Sequence, residues 1–523
     1  MDNLDAFLGP WLSSVKPHSN DFPLYPSAEP ESLICTSRPV SFQLGTGASI
    51  YTGTLLPAML EAKQEIILVT CFWAPSHTLT RLRDTLQALA ELRRDFINSR
   101  HSTEPDSDPL PRLRVRICFS SRSFLQKLFH PLSRRGYTYP PAKWASKLGL
   151  PDPTIFEDGH IDLQVKTLFF LPFSVMHPKF LIIDRRTAYF PSCNVSWEPW
   201  LEACVEIKGE AVPSLLRFYH GVWDSHMEAD GRPPIVSNPS HGPVVTTTLK
   251  PGEVSSDSIR SPMSRTTHTP TLLTRTLGLS WIESPASRFE LLASPVLPTI
   301  LLPSSHYRNP LFRPLPWQRC TRPPATPLNC ALLRLFDMAE KHIYLQTPNL
   351  TTPAVMDALL EALDRGVDVR IVTNETMMVW EQLFTAGTTT PRSLRRFIKH
   401  YKQNVNRLQR FDRGRNNDES DATHDLEAQH LRSGSLEIFY YHALPENDVQ
   451  QILEEPVQSH MKLTIVDDDY VVLGSGNMDR ASWFTSQELG VLFRSKDVAA
   501  TVMADVNSVL DGRVTLFFSS KEP

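Results

Sequence analysis

The chain has 523 residues, 41% hydrophobic and 21% charged, with 44 Pro against 21 Gly and a formal net charge of -4. These proportions suit two to four globular domains and exclude a collagen-like fibre, a wholly disordered chain and a disulfide-stapled miniprotein. The slightly acidic balance argues against strong non-specific nucleic-acid binding, which needs a basic surface.

In chain order, residues 1–40 read as an N-terminal extension. It begins Met1-Asp2-Asn3-Leu4-Asp5, without the positive and apolar regions of a secretory signal. Residues 41–228 follow as a first α/β lobe, with a strand near Ile66–Ala74, a helix over Leu79–Phe96 and a strand over Leu113–Phe119. His101–Pro111 is a loop. Residues 229–325 read as a Pro/Ser/Thr-rich linker or insertion, because residues 229–329 carry 17 of the 44 prolines. Ile300–Trp317 is more apolar and is expected to pack back on the protein. Residues 326–515 form a second lobe. There Thr352 can cap a helix, Pro353 can take its first position, and Val355, Leu359, Ala362 and Leu363 make an apolar stripe that Gly366 ends. A strand over Val367–Val372 follows. Arg392, Arg395, Arg396 and Lys399 give a helix one basic face, and 412–433 reads as a charged, disordered loop. No run of 18 apolar residues exists, so no transmembrane helix is expected. Seven cysteines without a C-x-x-C pair suggest neither a zinc site nor a disulfide framework and fit a reducing compartment. An intracellular protein follows as the expectation, cytoplasmic or peripheral on a membrane.

Two blocks recur. Leu60–Thr70 resembles Asp337–Thr347, displaced by 277 residues, and Val175–Asp184 resembles Gln458–Asp467, displaced by 283. Similar displacement of two unrelated blocks indicates duplication of a whole α/β unit. Strand–helix–strand order in each copy predicts right-handed crossovers and a largely parallel sheet.

Both copies contain H-x-K-x4-D, first as His177, Lys179 and Asp184, then as His460, Lys462 and Asp467. After six intervening residues come Pro191-Ser192-Cys193-Asn194 and Gly474-Ser475-Gly476-Asn477. Residues two apart on a strand share a face, so each His and its Lys would enter one pocket. A small hydroxyl, backbone N–H groups and an Asn amide from the turn would join them. This set suits a phosphodiester, which needs a nucleophile, a proton donor for the leaving oxygen and fixed donors around the phosphoryl oxygens. Neither copy is complete alone. Trp197, Trp200, Trp483 and Phe484 follow the turns and read either as pocket walls or as core aromatics. Asp467-Asp468-Asp469 reads as a solvated turn rather than a cation site.

On these residues the sequence resembles the phospholipase D superfamily, the HKD phosphodiesterases. The second motif, from His460 through Glu488, keeps the family order. Asp337–Asn374 is most similar to the cardiolipin synthase and bacterial-type phospholipase D branch. The resemblance implies a monomer of two similar α/β lobes, with mixed, largely parallel sheets flanked by helices, related by a pseudo-two-fold and sharing one active site. It implies a reaction needing no metal or other cofactor, through a covalent phosphohistidine. His177 would be the nucleophile and His460 the acid and base. Lys179, Lys462, Asn194, Asn477, Ser192 and Ser475 would surround the phosphate, while Asp184, Asp467 and Gly474 would support the fold. Glu488 would orient His460, with Glu202 as its counterpart in the first half and Glu206 as the fallback. Pro191 and Cys193 depart from the family turn, and Pro191 removes an N–H. The resemblance further implies a phospholipid substrate met at a membrane surface, with water or an alcohol as acceptor. A nuclease with the same chemistry and an inactive scaffold are the rival readings.

Overall fold

The computed structural model describes residues 2–21, 29–103, 110–123, 126, 136–170, 174–224, 287–291, 295–306, 315, 317–318, 322–415, 433–445 and 455–521. In the first half the strands are β1 (Ile34–Thr46), β2 (Glu65–Phe72), β3 (Leu113–Ser121), β4 (Ile161–Thr167), β5 (Phe180–Ile183), β6 (Thr187–Pro191) and β7 (Trp200–Lys208). The second half has β8 (Leu297–Ser304), β9 (His342–Gln346), β10 (Asp368–Thr373), β11 (Leu436–Tyr441), β12 (Leu463–Val466), β13 (Tyr470–Gly474) and β14 (Glu488–Arg494). An edge strand, β15 (Val514–Ser519), pairs antiparallel with β11.

The halves repeat one strand order. In the first, neighbours run β4-β3-β2-β5-β6-β7-β1, and in the second β11-β10-β9-β12-β13-β14-β8. Each sheet is mixed, and its parallel part is narrower than the sequence reading suggests. Only the first three strands of each run are parallel. The remainder are antiparallel; the short turn between β5 and β6, for one, can join only antiparallel neighbours.

Alternation along the strands builds the core. Ile66 and Leu68 of β2 face the long helix α2 (His77–Thr103), whereas Ile67 and Val69 enter a core shared by both halves. Phe180, Ile182 and Val205 meet Leu463, Ile465, Val491 and Phe493 in that same core. Two further helices line it, α3 (Ala211–Trp223) and, late in the chain, α9 (Lys496–Leu510). On the outer face of the second sheet lie α4 (Pro327–Met338), α5 (Pro353–Asp364) and α7 (Thr390–Arg415). The stripe Val355, Leu359, Ala362 and Leu363 is the buried face of α5, and Gly366 follows the helix at φ 93°. Thr352 stands at the N-cap of α5, but its hydroxyl makes no capping bond.

Four segments differ from their sequence reading. The extension 1–40 is part of the core: α1 (Asp2–Val15) buries Phe7, Trp11 and Val15 against α4, and Trp11 Nε1 donates to the Pro327 carbonyl at 3.0 Å. The stretch 229–325 is not solely a linker. It contains β8, which bridges β14 and the start of β1, and Ser287–Glu290, which pairs with the middle of β1. Residues 229–286 of this stretch lie outside the described residues. The segments read as loops at 101–111 and 412–433 begin in helix, since α2 reaches Thr103 and α7 reaches Arg415. Residues 104–109 and 416–432 lie outside the described residues. Among the described residues no helix is long and apolar enough to cross a membrane.

Candidate active site

Each H-x-K motif sits where a short extended segment enters β5 or β12. The entry segments are held by the opposite half. His177 N donates to the Gln487 carbonyl at 2.9 Å, next to Glu488 at the start of β14. His460 N donates to the Leu201 carbonyl at 2.8 Å, next to Glu202 in β7. Gln458–Ser459 pairs in parallel with Trp200–Leu201, and Met176 forms a parallel bridge to Gln487.

This interlocking decides the side-chain pairing. His177 Nδ1 donates to Glu488 Oε2 at 2.8 Å, and His460 Nδ1 donates to Glu202 Oε1 at 2.8 Å. Glu488 therefore serves the first-half histidine, not His460 as its sequence neighbourhood suggests. The reason is topological: the segment that carries each histidine lies beside the glutamate strand of the other half. Glu206, the fallback, accepts instead from the Ser41 hydroxyl at 3.1 Å.

Each glutamate is gripped by its own half as well. The Ser475 hydroxyl donates to Glu488 Oε2 at 2.5 Å, and the Ser192 hydroxyl donates to Glu202 Oε2. The serine oxygens in turn accept from the N–H groups of Leu489 and Ala203. Their donated protons thus go to glutamate, which corrects the reading of Ser192 and Ser475 as phosphate donors. Pro191 leaves this geometry intact, because Ser192 N still donates to the Ala203 carbonyl at 2.8 Å. In the second half Ser475 N donates to the Leu489 carbonyl at 3.0 Å.

Lys179 Nζ donates to the His177 carbonyl at 3.0 Å, and Lys462 Nζ to the His460 carbonyl at 2.5 Å. Both lysines are buried. Asn194 Oδ1 accepts from Phe72 N at 3.2 Å and from the Thr70 hydroxyl at 3.4 Å, which leaves its amide N–H groups for another acceptor. Asn477 Nδ2 donates to Asp479 at 3.0 Å and keeps a second N–H. Asp184 and Asp467 lie away from these groups. Each sits at positive φ in the turn after its motif strand. Asp184 accepts from the N–H groups of Lys63, Gln64 and Glu65, and Asp467 from those of Glu340, Lys341 and His342. They tie the turn to the head of β2 or β9.

Burial pushes both imidazoles below their ordinary value, His460 to about 3; the lysines add to this and the glutamates oppose it. Burial alone would raise Glu202 and Glu488, but their imidazole partners, the serine hydroxyls and the lysines hold both below the usual carboxylate range. Burial also lowers Lys462, to about 7. The resulting state has ionised glutamates and neutral imidazoles with the proton on Nδ1, so each Nε2 keeps its lone pair.

The aromatic residues divide. Trp483 and Phe484 are buried in the core of the second half, Trp197 is exposed, and Trp200 packs on His460 with ring centroids 4.8 Å apart. Sequence reading missed Gln487, whose carbonyl holds His177 and whose amide bonds Ser174 and Ser305. Its position beside Glu488 was the available signal.

Residues 332–510 match the family model described as "Cardiolipin synthase, PLD-like domain". No curated protein matches the chain. Among solved structures, phosphatidylserine synthase from Haemophilus influenzae Rd KW20 is similar over 96% of this chain and 92% of its own, at 13% identity and a TM-score of 0.50. Nuc, a phospholipase D family member from Salmonella typhimurium, matches over 36% of this chain and 91% of its own, at 19% identity and a TM-score of 0.24. Residues 332–510 are thus similar to a cardiolipin synthase-like, phospholipase D-like domain, and nearly the whole chain shares the fold of the phosphatidylserine synthase.

Proposed function

We propose that this protein is a phosphodiesterase or phosphatidyltransferase acting on glycerophospholipids through a covalent phosphohistidine. The observation that carries the reading is the crossed pairing, in which each imidazole is oriented by a glutamate of the opposite half. That arrangement supports one site with two Nε2 lone pairs, two lysines and two amides. The formal charges of the buried set, two carboxylates against two ammoniums, cancel. A phosphodiester adds one negative charge, which favours protonation of one imidazole.

In the first step His177 Nε2 attacks phosphorus, and the bond to the leaving alcohol breaks as that oxygen takes the proton from His460 Nε2. In the second step His460 Nε2 removes a proton from water or an acceptor alcohol. That oxygen displaces His177 from phosphorus. Lys179, Lys462, Asn194 and Asn477 hold the phosphoryl oxygens as charge develops. The greater exposure of the His177 side chain, 14% against 3% for His460, supports its role as nucleophile. The lipid substrate is supported by the cardiolipin synthase-like family match, by the fold neighbour named a phosphatidylserine synthase, and by the net charge of -4.

Purified protein with phosphatidylcholine, phosphatidylglycerol or single-stranded DNA, each with EDTA, tests the proposal. Phosphatidic acid release or alcohol exchange, absent in His460→Ala, is the expected result. DNA cleavage without lipid turnover would install the nuclease reading. Inactivity on all three, equal to that of His460→Ala, would leave a scaffold.

A further inference from the structure

The helix α6 (Val379–Ala386) is inside out. Its one buried residue is polar, Gln382, while Trp380, Leu383 and Phe384 are 85%, 40% and 62% exposed. Gln382 anchors it: Nε2 donates to the Met377 carbonyl at 2.6 Å, and Oε1 accepts from Thr390 N at 2.6 Å and the Thr390 hydroxyl at 2.9 Å. Met378 and Gly387 flank the helix at φ 54° and 66°, so the chain turns sharply on both sides of it. A soluble surface gains nothing by presenting three large apolar side chains on two turns.

Two further observations give this face a direction and a partner. Arg480 lies three residues after Asn477 in α8 (Arg480–Phe484). Its guanidinium donates to the Thr385 carbonyl of α6 at 3.2 Å and to the Leu315 carbonyl at 2.9 Å, beside Trp317, which is 72% exposed. Both aromatic projections are thus tied to the loop that carries the candidate phosphate amide. The next element supplies charge. From Thr388 to Phe411 there are seven Lys and Arg and no acidic residue. Arg392, Arg395, Arg396 and Lys399 are exposed at the start of α7, against only Glu375 and Glu381 around α6.

We propose that α6, with Trp317 and the basic start of α7, is a membrane-docking surface that inserts aromatic side chains into an anionic phospholipid interface beside the active site. The proposal rests on the lipid reading of that site and adds how a bilayer-borne substrate reaches it. Apolar side chains would partition below the headgroups while the basic residues meet anionic lipid, the combination that holds peripheral proteins on a bilayer.

The full-length chain is sedimented with vesicles of phosphatidylcholine alone or with about a quarter phosphatidylglycerol. Trp380→Ser with Phe384→Ser should lower partitioning on the order of a hundredfold. Arg395→Glu with Arg396→Glu should lower it about tenfold on anionic vesicles and leave neutral vesicles unaffected. Both variants should turn over a monomeric short-chain phospholipid at the wild-type rate, which also reports that they fold. Unchanged vesicle binding with that turnover intact overturns the docking surface. So does a fall in oligomeric mass of the serine variant, which would assign the face to a second copy. Absence of short-chain turnover in the wild type instead overturns the catalytic reading.

Discussion

The crossed glutamates make the two halves separable in an experiment. Glu202→Gln preserves shape: an amide oxygen can still accept from His460 Nδ1, and the amide N–H₂ can donate to the Ser192 oxygen. What it loses is the carboxylate charge facing an imidazole that must become positive. With Nδ1 and Oε1 2.8 Å apart, the charge centres lie about 4 Å apart. At an effective dielectric constant of ~20 their attraction is about 4 kcal/mol. At 1.36 kcal/mol per decade that is a fall in kcat of about a thousandfold. The assay compares a natural phospholipid with a phosphodiester carrying a nitrophenol leaving group, which departs without a proton. If Glu202 serves the acid and base, Glu202→Gln recovers the first step on the activated substrate while the second remains slow. Phosphoenzyme then accumulates and can be trapped by denaturant with label on His177. Glu488→Gln disturbs the nucleophile, slows both substrates alike and accumulates nothing. Accumulation in Glu488→Gln and not in Glu202→Gln would refute the assignment of Glu202 to the acid–base ring.

Three other outcomes follow from the geometry. Lys462, lowered to about 7 by burial, loses its proton as pH rises through that value in the free enzyme. kcat/KM should therefore fall above about pH 7, and Lys462→Met should lack that limb at a lower plateau; a wild-type profile flat to pH 9 would contradict this. At Gly474 a Cβ would lie 2.5 Å from the Leu489 carbonyl oxygen and 2.7 Å from Gly490 Cα. Gly474→Ala should cost about 1–3 kcal/mol in urea unfolding and lower kcat by displacing Ser475 from Glu488. Trp11→Ala empties a fully buried site and breaks the bond to Pro327; unfolding measurements should show a loss of about 3–5 kcal/mol.

The parts of this protein legible in its sequence are those fixed by local pattern. The α5 stripe, its Pro353 start and the Gly366 stop follow from helical periodicity and termination, and the structure shows each. The paired H-x-K segments are equally local. The pairing of Glu488 was misread because it depends on which strand lies beside Gln487, a contact spanning 311 residues between His177 and Glu488. The serines were misread for a related reason: a hydroxyl near a phosphate site is a donor by type, and only the fold reveals the carboxylate that claims it. Proline density masked β8, since a strand bordered by loops on both sides leaves little compositional trace. The N-terminal helix carried only a short apolar pattern, and its burial depends on α4, more than 300 residues away.

Duplication usually leaves a spare, so that one copy can drift while the other works. Here the copies have exchanged the groups that orient their reactive rings, and no spare remains. A lesion at Glu202 strikes His460 of the second motif, and a lesion at Glu488 strikes His177 of the first. Residues 332–510 expressed alone would carry His460 without its carboxylate and Glu488 without its imidazole. Such a fragment could regain both only by facing a second copy of itself. Selection must therefore act on this chain as one indivisible unit, whatever the divergence between its halves.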